Sequence, residues 1–150
     1  MWVRTLVTRT TIIAIAGASA SGKSLFSQTI YNELVNELEP GAIAIIEEDA
    51  YYKDQSHLPM AHRTQTNYDH PDAFEHALML EHLTQLRSGN SVEVPTYDYA
   101  QHTRSEKTRR VPAAKILIVE GILLLSDKAL NKEFDIKVFI DTPLDICLMR

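Results

Sequence analysis

The stretch Gly17-Ala18-Ser19-Ala20-Ser21-Gly22-Lys23-Ser24 decides how the rest of this chain is read. It fits the pattern G-x-x-x-x-G-K-[ST], in which the glycines let the backbone fold around a phosphate. Successive N–H groups and the N-terminus of the following helix then face the anion. In this pattern the Lys23 ammonium reaches the β- and γ-phosphates of a nucleoside triphosphate, and the Ser24 hydroxyl ligates Mg²⁺. The motif requires a strand before it and a helix after it, and both are legible. Thr11 to Ala16 is continuously apolar and β-branched, as a strand covered on both faces is. From Lys23 to about Glu39, the residues Phe26, Ile30, Leu34 and Leu38 recur on one helical face, and Pro40-Gly41 stop the run.

Further along, Ala42 to Ile46 reads as a second buried strand that ends in the acidic run Glu47-Glu48-Asp49. Ala50 to Asn67 is polar and tyrosine-rich without a period, which predicts loop. A helix is expected from near Pro71, with Asp69 as N-cap and Asp72 and Glu75 in the first turn. Its apolar stripe is Phe74, Ala77, Leu78, Leu83 and Leu86, and Gly89 stops it. Ser91 to Pro95 and Lys107 to Val111 predict a two-stranded insertion around the loop Thr96 to Glu106. Lys115 to Val119 and Asp135 to Ile140 are further buried strands, and Thr142 to Arg150 opens a helix. Strands alternating with helices predict an α/β fold of the P-loop nucleoside triphosphate hydrolase type. Its parallel sheet carries helices on both faces and a small β insertion. A single domain over 1–150 is expected, with an N-terminal arm at about 1–10 and the insertion at about 91–112.

Composition narrows the function. The chain has 150 residues, 45% of them hydrophobic, and a net charge of −5. That balance argues against a general nucleic-acid binder, which carries a broad basic face. No apolar run approaches the ~20 residues of a membrane span, so no membrane partner is expected. A lone cysteine, Cys147, excludes an internal disulfide framework and fits a reducing cytoplasm. The N-terminal Arg4 and Arg9, the apolar stretch after them and Ala18-Ser19-Ala20 imitate a signal peptide. The apolar part is short and the small-residue site falls inside the phosphate loop, so a buried strand after a loose arm is the better reading.

A phosphate loop alone does not separate a kinase from a switch GTPase or a motor. Two carboxylates help. The run Ile116 to Val119 delivers Glu120 beside the phosphates, where such a residue holds Mg²⁺ directly or through water. Asp49 ends the second strand, placed to face a second substrate and accept a proton from an attacking hydroxyl. Each is alternatively a solvated carboxylate at a strand end. The histidines His57, His62, His70, His76 and His82 show no zinc-type spacing and read as surface or packing residues. Lys107, Arg109 and Arg110 read as a solvated strand edge.

With these segments in view the chain resembles the uridine–cytidine kinase family, in its bacterial form. The resemblance is carried by Gly17 to Ser24, by Glu48-Asp49-Ala50-Tyr51-Tyr52-Lys53-Asp54, and by Asn67-Tyr68-Asp69-His70-Pro71-Asp72-Ala73-Phe74. It continues in Pro95-Thr96-Tyr97-Asp98-Tyr99-Ala100-Gln101-His102-Thr103-Arg104, in Val119-Glu120-Gly121-Ile122-Leu123, and in the run Asp141 to Arg150. It implies an ATP- or GTP-dependent transfer of the γ-phosphate to the 5′-hydroxyl of uridine or cytidine, in pyrimidine salvage. Asp49 would be the base, also close to the metal, and Lys23 the catalytic phosphate-loop lysine. Asp69 would grip the ribose hydroxyls with Tyr68 beside it, Tyr97 and His102 would recognise the pyrimidine, and Tyr99 would wall its pocket. Ser24 and Glu120 would serve Mg²⁺. Without the resemblance, Tyr97 and Tyr99 alternate as on any amphipathic strand, and His102 is an exposed side chain.

The resemblance further implies a homo-oligomer, a tetramer, and an arginine-rich lid with a last strand lying past Arg150. The chain is therefore expected to lack the lid. A nucleotide- or nucleoside-binding fragment without turnover, or another P-loop small-molecule kinase, are the alternative readings.

Overall fold

Residues 9–149 are described by the computed structural model. In chain order they form β1 (Thr11–Gly17), α1 (Lys23–Val35), β2 (Ile43–Glu47), α2 (Met60–Arg63) and α3 (His76–Arg87). There follow β3 (Val92–Asp98), β4 (Thr103–Val111), β5 (Ile116–Gly121), α4 (Lys128–Glu133), β6 (Ile136–Ile140) and α5 (Leu144–Leu148). Four of these strands make a parallel sheet in the order β2-β5-β1-β6, and β3 pairs with β4 in a separate antiparallel ribbon. The expected fold class is the one found. The expected arm at 1–10 lies for the most part outside the described residues, as does Arg150.

Burial on both faces explains the apolar runs of β1, β2 and β5, whereas β6, expected to be buried, stands at the sheet edge with Ile136 and Phe139 exposed. Ile12 and Ala14 of β1, with Leu117, Val119 and Ile46, pack under α3, Leu124 and Leu130. The alternate residues Ile15, Ile43 and Ile118 lie against Ile30, Leu34 and Leu38, which come from α1 and the turn that follows it. All four strands point their carboxyl ends the same way, so Gly17, Glu47, Glu120 and Ile140 share one edge of the sheet.

Several expectations are corrected. α1 ends at Val35, where Asn36 donates to the Asn32 carbonyl (3.1 Å) and draws off a last-turn acceptor; Phe26 at its start is exposed rather than buried. No α-helix begins at Pro71. Residues Pro71–Ala73 form one 3₁₀ turn, whose first N–H is accepted by the His70 ring (3.1 Å), so Asp69 caps nothing. The buried face of α3 is His76, Met79, His82, Leu83 and Leu86 rather than a stripe through Ala77, because its histidines are packed inside. The ribbon is longer than its apolar residues suggested. Pairing runs through Tyr97↔Arg104 and Asp98↔Thr103 and leaves only residues 99–102 as loop. α2 and α4 fell in stretches with no apolar period.

Candidate active site

β1 ends at Gly17 against the neighbouring strand. A Cβ there would stand 2.7 Å from Ser21 Oγ and 2.9 Å from the Ile140 carbonyl, so the loop can close only over glycine. The chain then turns with Ser21 N–H donating to the Ala18 carbonyl (3.1 Å) and enters α1 through Gly22, whose φ of 97° is left-handed. Thr142, after β6, donates to the Ser21 carbonyl (2.7 Å) and ties the loop to the far strand. Ser21 Oγ is buried without a partner. The cradle, the helix N-terminus and this spare hydroxyl fit a polyphosphate. Lys23 lies folded back, its Nζ donating to the Ala18 carbonyl (3.3 Å), beside a cavity of about 470 Å³ lined by Ala20, Gly22 and Ser24.

Ser24 Oγ donates to Glu120 Oε1 (3.0 Å), and Glu120 Oε2 is buried with no partner. Burial raises the Glu120 pKa, against the Ser24 hydrogen bond and the Lys23 charge. A hard divalent cation that keeps waters and phosphate oxygens suits such a hydroxyl–carboxylate pair. Among the described residues no group of three or more His, Cys, Asp or Glu forms a metal cage.

Asp49 stands one turn past β2, half-buried. Burial raises its pKa, Lys23 draws it down, and the neighbouring Glu48 pushes it up. Tyr99 extends from the ribbon loop and donates to Asp49 Oδ2 (3.5 Å); burial and that carboxylate push its phenol up to about 12. Asp49, Tyr97, Tyr99 and Glu120 line one cavity of about 320 Å³. Asp69 lies apart from it, exposed on the rim of a larger cavity of about 590 Å³ with Ala18, Ser19, Ala20 and Leu123. Tyr97 donates to the Tyr68 hydroxyl (3.1 Å), and the His102 ring stands 6.1 Å from that of Tyr68. Tyr97 and Tyr99 thus share one cavity with Asp49 and Glu120, while Asp69 lines a separate one.

The sequence reading missed four groups. Tyr52 is the centre of the aromatic wall, stacked on Phe74 at 4.3 Å and in edge contact with Tyr68 at 5.1 Å. Glu48 is fully buried, its carboxylate paired with His76 Nε2 (2.8 Å) and accepting the Leu123 N–H (2.9 Å). Gln55 is buried among Tyr68, Thr66 and His102. Arg109, read as a solvated edge, donates to the Ile45 carbonyl (3.2 Å) and Glu47 (3.2 Å) and reaches the cavity that holds Asp49. A buried glutamate with a histidine partner has no sequence signature. Arg109 became legible only once the ribbon was known to fold over β2.

A parallel sheet with this strand order, a phosphate loop after its central strand and carboxylates on the same edge define a P-loop α/β protein built for phosphate chemistry. The chain belongs to the Phosphoribulokinase / Uridine kinase family, whose profile it matches over residues 12–150. It is 62% identical over 139 residues to a uridine kinase of Tolumonas auensis and 54% identical over 139 residues to one of Erwinia tasmaniensis. In both cases 93% of this chain is covered. The chain spans 65% of the length of either relative. Its fold is also that of a structure described as a possible uridine kinase from Bacillus stearothermophilus. There the TM-score is 0.70 at 20% identity, covering 94% of this chain and 76% of the other.

Proposed function

We propose that this chain carries the catalytic core of a uridine/cytidine kinase, which moves the γ-phosphate of ATP or GTP to the nucleoside 5′-hydroxyl. The observation that carries the reading is the convergence of Asp49, Glu120 and Tyr99 of the ribbon on one cavity beside Lys23 and Ser24. The uridine kinase names of the relatives above favour a nucleoside as acceptor. Gly17 to Ser24 hold the triphosphate through backbone N–H groups and the α1 N-terminus. Lys23 swings from the Ala18 carbonyl to the β- and γ-phosphate oxygens. Ser24 and Glu120, with Asp49 close by, would hold Mg²⁺, which would neutralise charge on the phosphates.

Asp69 accepts the ribose hydroxyls, with Tyr68 behind it. Tyr97 and His102 recognise the pyrimidine and Tyr99 packs on it. Asp49 takes the proton of the 5′-hydroxyl as its oxygen bonds to the γ-phosphorus. The bond from that phosphorus to the β,γ-bridging oxygen breaks, and ADP carries the electron pair away. A cytoplasmic setting belongs to this reading. Among the described residues no helix is long and apolar enough to cross a membrane. A homo-oligomeric assembly, a tetramer, belongs to the same reading.

UMP formation from Mg·ATP and uridine, with Asp49→Asn as control, tests it. Turnover that falls by about 10²–10⁴ in the control supports Asp49 as the base. A folded chain that binds Mg·ATP yet makes no UMP would leave this chain a binding fragment of the kinase.

A further inference from the structure

We infer that Gln55 is the positioning residue of the pyrimidine-recognising wall, holding the backbone of His102 and the Tyr68 hydroxyl on which Tyr97 rests. This rests on the nucleoside reading above. Gln55 is 8% exposed and lies in a segment whose sequence suggested only loop. Its Nε2 donates to the His102 carbonyl (3.1 Å) and to the Tyr68 hydroxyl (2.8 Å), while its Oε1 accepts from Thr66 Oγ1 (2.6 Å). Its backbone N–H donates to Thr103 Oγ1 (2.7 Å), and that hydroxyl passes its proton to Asp54 (2.9 Å).

The orientation of this amide is forced. A carbonyl only accepts, so the nitrogen must face His102, and its second hydrogen then points at Tyr68. Tyr68 has one proton, and the Arg63 carbonyl (3.0 Å) can only accept it. The Tyr68 oxygen is left to accept twice, from Gln55 and from Tyr97 (3.1 Å). Tyr97 therefore spends its proton inward and turns only acceptor capacity to a ligand. That suits an N–H on the base edge. His102 stands in the left-handed region, φ 49°, a backbone conformation that a Cβ disfavours. Gln55 at its carbonyl, and Arg63 donating to the preceding Gln101 carbonyl (3.0 Å), restrain it there.

The test compares Gln55→Met, which keeps volume but no hydrogen bond, and Gln55→Glu, which keeps shape but loses both donors. Uridine affinity by calorimetry is expected to fall about tenfold or more in each, with Mg·ATP affinity unchanged. In the unliganded chain, amide exchange at residues 100–102 is expected to quicken by about tenfold while the β1 and β5 amides keep their rates. If wild type binds uridine and both variants bind it equally well, the inference is overturned. If wild type binds no uridine, the nucleoside reading fails instead. Amide exchange then decides alone: quickening upholds Gln55 as the restraint on His102, and unchanged rates overturn it.

Discussion

Asp49 is held where its charge is unwelcome. Burial is the main cause of its raised pKa, Glu48 adds to it, and Lys23 only partly offsets them. A raised pKa means the fold favours the protonated acid, so ionised Asp49 costs stability. That cost is absent below the unfolded pKa and appears as pH climbs through the folded one. Asp49→Asn should therefore raise the thermal midpoint by a few degrees at pH 7 even as it lowers the proposed transfer, with the gap closing as the pH is lowered. Melting curves across pH 4 to 8 check this, and a lower midpoint for the variant at pH 7 would contradict it. Catalysis has the opposite dependence. As the proposed base Asp49 must be ionised, so the acid limb of kcat/KM should fall at a pH above the ordinary aspartate range. Gly121 is the other residue with little latitude. A Cβ there would overlap the buried Glu48 carboxylate, so Gly121→Ala should cost about 1–3 kcal/mol in urea titration.

Between elements, the pairing of Glu48 with His76 joins the end of β2 to the first turn of α3, and the Leu123 N–H joins both to the segment after β5. Phe74, stacked on the His76 ring at 5.3 Å, brings the aromatic wall into the same knot. His76→Ala would leave a carboxylate buried with no counter-group, expected to cost roughly 3–5 kcal/mol. Adding Glu48→Gln to that variant should recover part of the loss, because a neutral amide is cheaper to bury than a charge. Urea midpoints of the single and double variants measure it, and a double variant no more stable than the single would mean the pair carries no charge. This knot shows why the sequence was only partly legible. Apolar runs such as Ile116 to Val119 announce strands, and Gly17 to Ser24 announce a phosphate loop, because each has a local pattern. Glu48, Gln55 and His76 have meaning only through partners 11 to 75 residues away. Tyr97 and Tyr99 were ambiguous for the same reason until Tyr68 and Asp49 were seen beside them.

At the scale of the molecule, the described residues leave one side of the sheet uncovered. The outer edge of β6 has no strand beyond it. Beside it Phe139 is 62%, Leu144 72% and Leu148 87% exposed. The opposite edge is treated differently: Arg109 donates into the β2 carbonyl row and carries charge there, a device that discourages edge-to-edge pairing. An unpaired strand edge flanked by large apolar side chains is a surface that seeks a partner. The 150-residue chain should therefore self-associate as its concentration rises. Phe139→Lys with Leu148→Lys should suppress that association while leaving the melting midpoint of dilute chain little changed, since both side chains are mostly exposed. Light scattering over a concentration series, with melts at the lowest concentration, separates the two effects. Phe139 lines neither the cavity of Asp49 nor that of Asp69, so on the nucleoside reading uridine affinity should survive Phe139→Lys alone, whereas Leu148 shares the Asp69 cavity. If that affinity fell with association, the ribbon side of the site would depend on a neighbouring copy, and the β6 face would belong to the functional assembly.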